Sequence, residues 1–107
     1  MTEETFFWEG ESGKTYKYGV YKISASFEDQ PGNYIFTKET YSGRWLPVYI
    51  GETDSLANRL PNHEKLPCVE RNGGTHVHVH ISSSDEEIRR SEEVDLIKKW
   101  DPPCNKE

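Results

Sequence analysis

The sequence predicts a small domain of the α/β class, α+β in type: a central antiparallel three-stranded sheet flanked by helices, with an N-terminal β extension. Three observations lead there. Thr75 to Ile81 alternates polar and apolar residues with a strict period of two, the signature of a strand. Residues 34–51 read as two strands joined by a short turn at Ser42-Gly43, which is a hairpin. Two stretches, after Gly51 and after Ser82, carry apolar residues at helical spacing behind residues suited to capping.

Taken in order, residues 5–8 and 15–27 are expected as strands, with Gly10-Glu11-Ser12-Gly13 turning between them. Asp29 to Asn33 is a turn, and strands follow at 33–39 and 45–51. Along Val48 to Glu52, alternation sends Tyr49 and Gly51 to one face and Val48 and Ile50 to the other. Gly51 leaves room for a group to approach the backbone where the strand ends. A helix over 54–65 would stack Arg59 and His63 on one side and Leu56 and Leu60 on the other, with a kink or break at Pro61. Residues 66–74 read as a loop, and 75–82 as the third strand of the sheet. A helix over 84–100 should begin with a capping box of Ser84 and Glu87 and stop before Pro102-Pro103.

At 107 residues, residues 1–107 are read as one domain, with 1–30 as the extension. Thirteen aromatic residues among only 33% apolar ones supply core material and argue against disorder. No apolar run is long enough to span a membrane, and the acidic start Met1-Thr2-Glu3-Glu4 is unlike a secretory signal, so a cytoplasmic location is expected. Cys68 and Cys104 form neither a zinc motif nor a disulfide framework and read as free thiols. The net charge of -6 weighs against nucleic-acid binding unless Arg59, Lys65, Arg71, Arg89, Arg90, Lys98 and Lys99 cluster locally.

On the last helix Leu96, Ile97 and Trp100 mark the buried stripe, and helical spacing puts Glu93 within it and Glu92 at its solvated edge. A carboxylate there calls for a cation, either an arginine or a metal. His76, His78 and His80 share one strand face with a His-x-His spacing that zinc sites use. The simpler account makes Val77, Val79 and Ile81 the buried face and leaves the histidines on the polar one. Each of Tyr49, Arg59, His63 and Asn105 has an ordinary reading when taken alone: an interface aromatic, a surface ion pair, a helix histidine, a tail residue.

Jointly, Tyr49-Ile50-Gly51, Arg59, His63, Glu93 and Asn105 resemble the GIY-YIG nuclease superfamily, over residues 32–105. The spacings carry the resemblance: ten residues from Tyr49 to Arg59, four on to His63, and twelve from Glu93 to Asn105 in a Pro-Pro-Cys-Asn tail. For the first motif tyrosine the chain offers Tyr21 in Gly19-Val20-Tyr21 and Tyr34 in Gly32-Asn33-Tyr34. Letters favour Tyr21; pairing with the Tyr49 strand favours Tyr34, which is preferred.

The resemblance implies a metal-dependent endonuclease that hydrolyses phosphodiester bonds of DNA. Glu93 would hold magnesium or manganese, and Arg59 would stabilise the charge at phosphorus. Tyr34 or Tyr49 would orient or deprotonate the attacking water, with His63 relaying a proton from a pKa near neutrality and Asn105 positioning by hydrogen bonds. Glu52 stands where relatives often carry lysine. The competing expectation, from another class, is a catalytically weak or inactive module of the same fold that binds nucleic acid or a protein partner. Expected partners are DNA, no membrane, and a homodimer or a larger repair or recombination complex. A protein holding zinc on the histidine strand is a third reading.

Overall fold

The computed structural model describes residues 4–106, so the acidic start at Met1 to Glu3 lies outside the described residues. Five strands form one antiparallel sheet: β1 (Thr5–Glu9), β2 (Thr15–Lys22), β3 (Gly32–Glu39), β4 (Trp45–Thr53) and β5 (His76–His80), in the order β1-β2-β5-β3-β4. The expected three-stranded sheet is therefore a part of a larger one. β5 lies between β2 and β3, so its outer edge takes up the N-terminal hairpin through pairs such as Tyr21–Val77. Strand pairing left open at an edge recruits whatever segment can complete it.

Three helices, α1 (Leu56–Arg59), α2 (Leu66–Arg71) and α3 (Glu86–Trp100), and a 3₁₀ turn at Pro103–Asn105 complete the chain. The helix expected over 54–65 is a single turn. Ser55 caps it, its side chain accepting from the Asn58 N–H, and it ends at Leu60 because Pro61 brings no N–H to continue it. The segment expected as a loop forms α2, since Pro67 falls in the first turn, where a missing N–H costs nothing. α3 starts two residues later than expected, and the cap is Asp85, which accepts from the Glu87 N–H, rather than Ser84.

Each sheet face has its own core. On one, Tyr34, Phe36, Val77 and Val79 pack with Leu56, Leu60 and Val69 of α1 and α2. Trp8, Tyr18, Ile35, Ile50 and Leu96 pack on the other, which α3 covers. Val48 joins the Tyr34 face, contrary to simple alternation, because a bulge between Phe36 and Thr37 shifts the register there.

The histidine strand is covered on both faces, which corrects its expected polar face. His78 is wholly buried, accepts a hydrogen bond from the Trp8 indole at 2.9 Å, and lies against Trp45. Ile81, expected to be buried, is exposed just past the strand end. Cys68 and Cys104 are joined in a disulfide across 36 residues, so the free-thiol expectation is also corrected. Spacing along the chain carries no information about which two cysteines the fold brings together.

Candidate active site

The sheet places Tyr34 opposite Gly51 and Phe36 opposite Tyr49, so both motif tyrosines point to the face under α1. A Cβ on Gly51 would lie 2.6 Å from the Tyr34 ring and 2.9 Å from that of Tyr49, so glycine is required for the two rings to stand together. Tyr21 sits on β2, with β5 and β3 between it and β4, and its ring meets Phe27. Of the two candidates for the first motif tyrosine, Tyr34 is the one beside Tyr49.

Because the helix stops at Leu60, His63 does not stack on Arg59 along a helix face, although the Arg59 charge still acts on it. The chain folds back after Pro61 and buries His63 against Tyr34, Phe36 and Tyr49. His63 Nε2 lies 2.6 Å from Tyr34 Oη, and His63 Nδ1 accepts from the Lys65 main-chain N–H at 3.0 Å. A nitrogen that accepts carries no proton, so the neutral ring bears its proton on Nε2 and donates to Tyr34. Burial, reinforced by the Arg59 charge, lowers the His63 pKa to about 4. The near-neutral titration expected of it is therefore absent. At neutral pH the ring is a fixed donor.

Arg59 forms a two-pronged pair with Glu64, and its charge acts on both tyrosines. Burial, with the charge of Tyr49 adding to it, raises the Tyr34 phenol well above its ordinary range, while Arg59 pulls the other way. Tyr49 is shifted upward by burial and by Glu93, again with Arg59 opposing. The guanidinium also borders a polar depression of about 310 Å³ lined by Glu52, Thr53, Asp54, Glu86 and Arg89.

Glu93 and Asn105 approach from the end of the chain along the free edge of β4. Asn105 donates from Nδ2 to the Ile50 carbonyl at 2.9 Å and accepts at Oδ1 from the Ile50 N–H at 2.8 Å. Two residues further along the same strand is Glu52, whose charge acts on Glu93. Burial and the Glu52 carboxylate raise the Glu93 pKa to about 7, with Arg90 opposing. Arg89 donates to Glu52 at 3.0 Å and to the Ser83 carbonyl.

The helix places the two glutamates differently from the spacing argument. Glu92 is the buried one, accepting from Tyr18 Oη at 2.6 Å and bonded to His80 Nδ1 at 2.9 Å, while Glu93 is only partly covered. The signal that could have found this was Tyr18 on a neighbouring strand, a partner no single-helix pattern can reveal. Glu64 was also missed, being one of nineteen acids in sequence.

Tyr34, Tyr49 and His63 thus pack against one another with the Arg59 charge acting on all three, Glu93 is within electrostatic reach of both tyrosines, and Asn105 holds the strand beneath them. Among the described residues no three His, Cys, Asp or Glu side chains are grouped to hold a metal ion. Glu93 nonetheless fits a hard divalent ion that takes one carboxylate and fills its remaining positions from phosphate and water. Its carboxylate is half-buried and feels the charge of Glu52, with Arg90 opposing, so a cation beside it would be favoured. No helix among the described residues is long and apolar enough to cross a membrane. No family model, curated protein or solved structure matches this chain.

Proposed function

We propose that this chain is a metal-dependent endonuclease of the GIY-YIG type, hydrolysing phosphodiester bonds of DNA. The observation that carries the reading is the convergence of Tyr34, Tyr49, Arg59 and His63 from three separate segments, with Glu93 facing them. A core packed for stability alone has no need for two phenols and an imidazole packed together within the field of a guanidinium.

In this mechanism Arg59 exchanges Glu64 for the scissile phosphate and neutralises the charge that builds on its oxygens. His63 Nε2–H donates to Tyr34 Oη and the Arg59 charge acts on it, and both favour the phenolate against the effect of burial. One tyrosine of the pair, once its own proton has left to solvent, receives the proton of the attacking water as the water oxygen bonds to phosphorus and the bond to the leaving oxygen breaks. Glu93 would hold magnesium or manganese, which supplies Lewis-acid polarisation of the phosphate when bound. Asn105 keeps Ile50, and with it Tyr49 and Gly51, in register.

The alternative is a weak or inactive binding module with the same fold. It is favoured by the Glu64 carboxylate already seated on Arg59 and by the acids Glu52, Asp54 and Glu86 around the depression. We place the chain in the cytoplasm, where it would act on DNA as a homodimer or within a repair or recombination complex.

The deciding experiment incubates pure protein with plasmid and with short branched or single-stranded DNA in magnesium or manganese. Wild type is compared with Glu93→Ala and Arg59→Ala, and each substitution is expected to lower nicking by about 10²–10³-fold. Absence of nicking by wild type, or equal nicking by the variants, rejects the nuclease reading.

A further inference from the structure

The Cys68–Cys104 disulfide joins the two segments that hold the cleft together. Cys104 immediately precedes Asn105, whose amide grips both main-chain groups of Ile50. Cys68 lies in the first turn of α2, which is itself attached to His63 through the Leu66 N–H donating to the His63 carbonyl at 3.1 Å. Asn72, at the end of α2, donates to the Cys68 carbonyl at 2.9 Å and reaches both sulfurs, at 3.5 and 3.6 Å. The contacts run in a closed ring: Tyr34 to His63, His63 to α2, α2 through the disulfide to Asn105, Asn105 to Ile50, and Ile50 back to Tyr49 and Gly51.

Among the described residues, the hydrogen bonds of the tail besides those of the Asn105 amide lie mostly within the tail itself. The 3₁₀ turn makes two long main-chain bonds of its own, Asn105 N–H to Pro102 and Lys106 N–H to Pro103, each 3.3 Å, and Lys106 pairs with Asp101 within the same tail. A covalent link that restricts a short, weakly bonded segment acts mainly on that segment's freedom.

We propose that Cys68 and Cys104 are a positioning pair for the cleft, and that their disulfide is the form in which Asn105 and His63 are both held for cutting. Reduction by a dithiol breaks the bond in two steps. One thiolate of the dithiol attacks a sulfur and forms a mixed disulfide; its second thiol then displaces the protein sulfur. Two electrons and two protons end on Cys68 and Cys104, and the dithiol becomes a cyclic disulfide. Both sulfurs are buried, so attack waits on local opening of the tail. In a reducing cytoplasm the bond would then report the thiol balance. The effect on cutting rests on the nuclease reading; the effect on Asn105 does not.

The test compares oxidised protein, protein reduced with dithiothreitol, the Cys68→Ser/Cys104→Ser double variant and oxidised Asn105→Ala. Amide hydrogen exchange at Ile50 is read against exchange at Ile35 on the neighbouring strand. The expected result is at least tenfold faster exchange at Ile50 in the last three samples, with Ile35 within twofold of the oxidised protein. Ile50 exchange within twofold of the oxidised protein after reduction overturns the proposal, as does global unfolding on reduction, which would make the bond a general staple. DNA nicking is measured on the same samples and is expected to fall at least tenfold on reduction. Equal nicking in both states also overturns it. If no sample nicks, the nuclease reading fails and Ile50 exchange still decides the pair's role.

Discussion

His63 Nε2 and Tyr34 Oη lie 2.6 Å apart, and because His63 Nδ1 already accepts from the Lys65 main chain, the histidine is the donor in that bond. An imidazole locked in this tautomer, with its pKa near 4, cannot shuttle a proton at neutral pH. It can only stabilise negative charge on the tyrosine oxygen.

The pH profile of nicking should therefore lack a histidine-type inflection near 6.5 and should rise toward the alkaline side as the tyrosine pair loses its proton more readily. His63→Ala is expected to cost about 10²-fold in kcat, in the range of a lost charge-stabilising donor, and His63→Gln, which keeps a donor, less. Rate profiles between pH 5 and 9 check this; an inflection near 6.5 that disappears in His63→Ala would restore the relay role.

Glu92 and Glu93 should part company under substitution. Glu92→Ala leaves the Tyr18 hydroxyl and His80 without their shared acceptor and is expected to cost about 2–3 kcal/mol of stability. Glu93→Ala should leave melting nearly unchanged or raise it while removing metal-dependent nicking. A raised carboxyl pKa contributes stability that is fully present below the unfolded value of about 4.5 and lost as pH rises through about 7. In chelator, Glu93→Gln should therefore be stabilised relative to wild type at pH 8 by about 1–2 kcal/mol, discounted for partial exposure, and by little at pH 4.5. Denaturant melts at both pH values measure the difference.

His78 makes the protein acid-sensitive. Burial lowers its pKa to about 3, and the neighbouring His76 charge adds to this. The unfolded chain binds the proton at about 6.5, so the stabilisation is complete above that pH and is lost as pH falls from there toward 3. His63 acts in the same direction down to about 4. Stability should fall by up to about 1.4 kcal/mol per pH unit for each of the two over this window. His78→Gln, whose carbonyl can still accept from Trp8, should flatten the slope in urea melts from pH 7 to 4.

Gly51→Ala puts a methyl group 2.6 Å from the Tyr34 ring. The two aromatic rings are packed into a rigid strand pair and must shift, at a cost of about 1–3 kcal/mol. Because Tyr34 moves away from His63 when it gives way, nicking should fall by more than the loss of folded protein explains. Melting and single-turnover nicking of the same preparation separate the two effects.

Alternation and turn chemistry are local, and so the sequence by itself determined the strands at 33–39 and 45–51, their hairpin, a strand read at 75–82 that the structure trims to His76–His80, and the long last helix. The short turn also pointed to the strand pairing that brings Tyr34 beside Tyr49, while the bulge that sets its register and turns Val48 to the Tyr34 face came only with the structure. Tertiary structure alone decided what depends on partners far along the chain. Glu92 is buried because Tyr18 and His80 meet it; His78 is buried because Trp8 and Trp45 close over it; Cys68 and Cys104 pair because α2 and the tail meet at one face. α2 itself escaped a reading in which Pro67 signalled a loop, because whether a proline breaks or begins a helix depends on where the turn starts. Periodicity reports which face of an element is apolar. It does not report which polar group will find a partner when two faces are brought together.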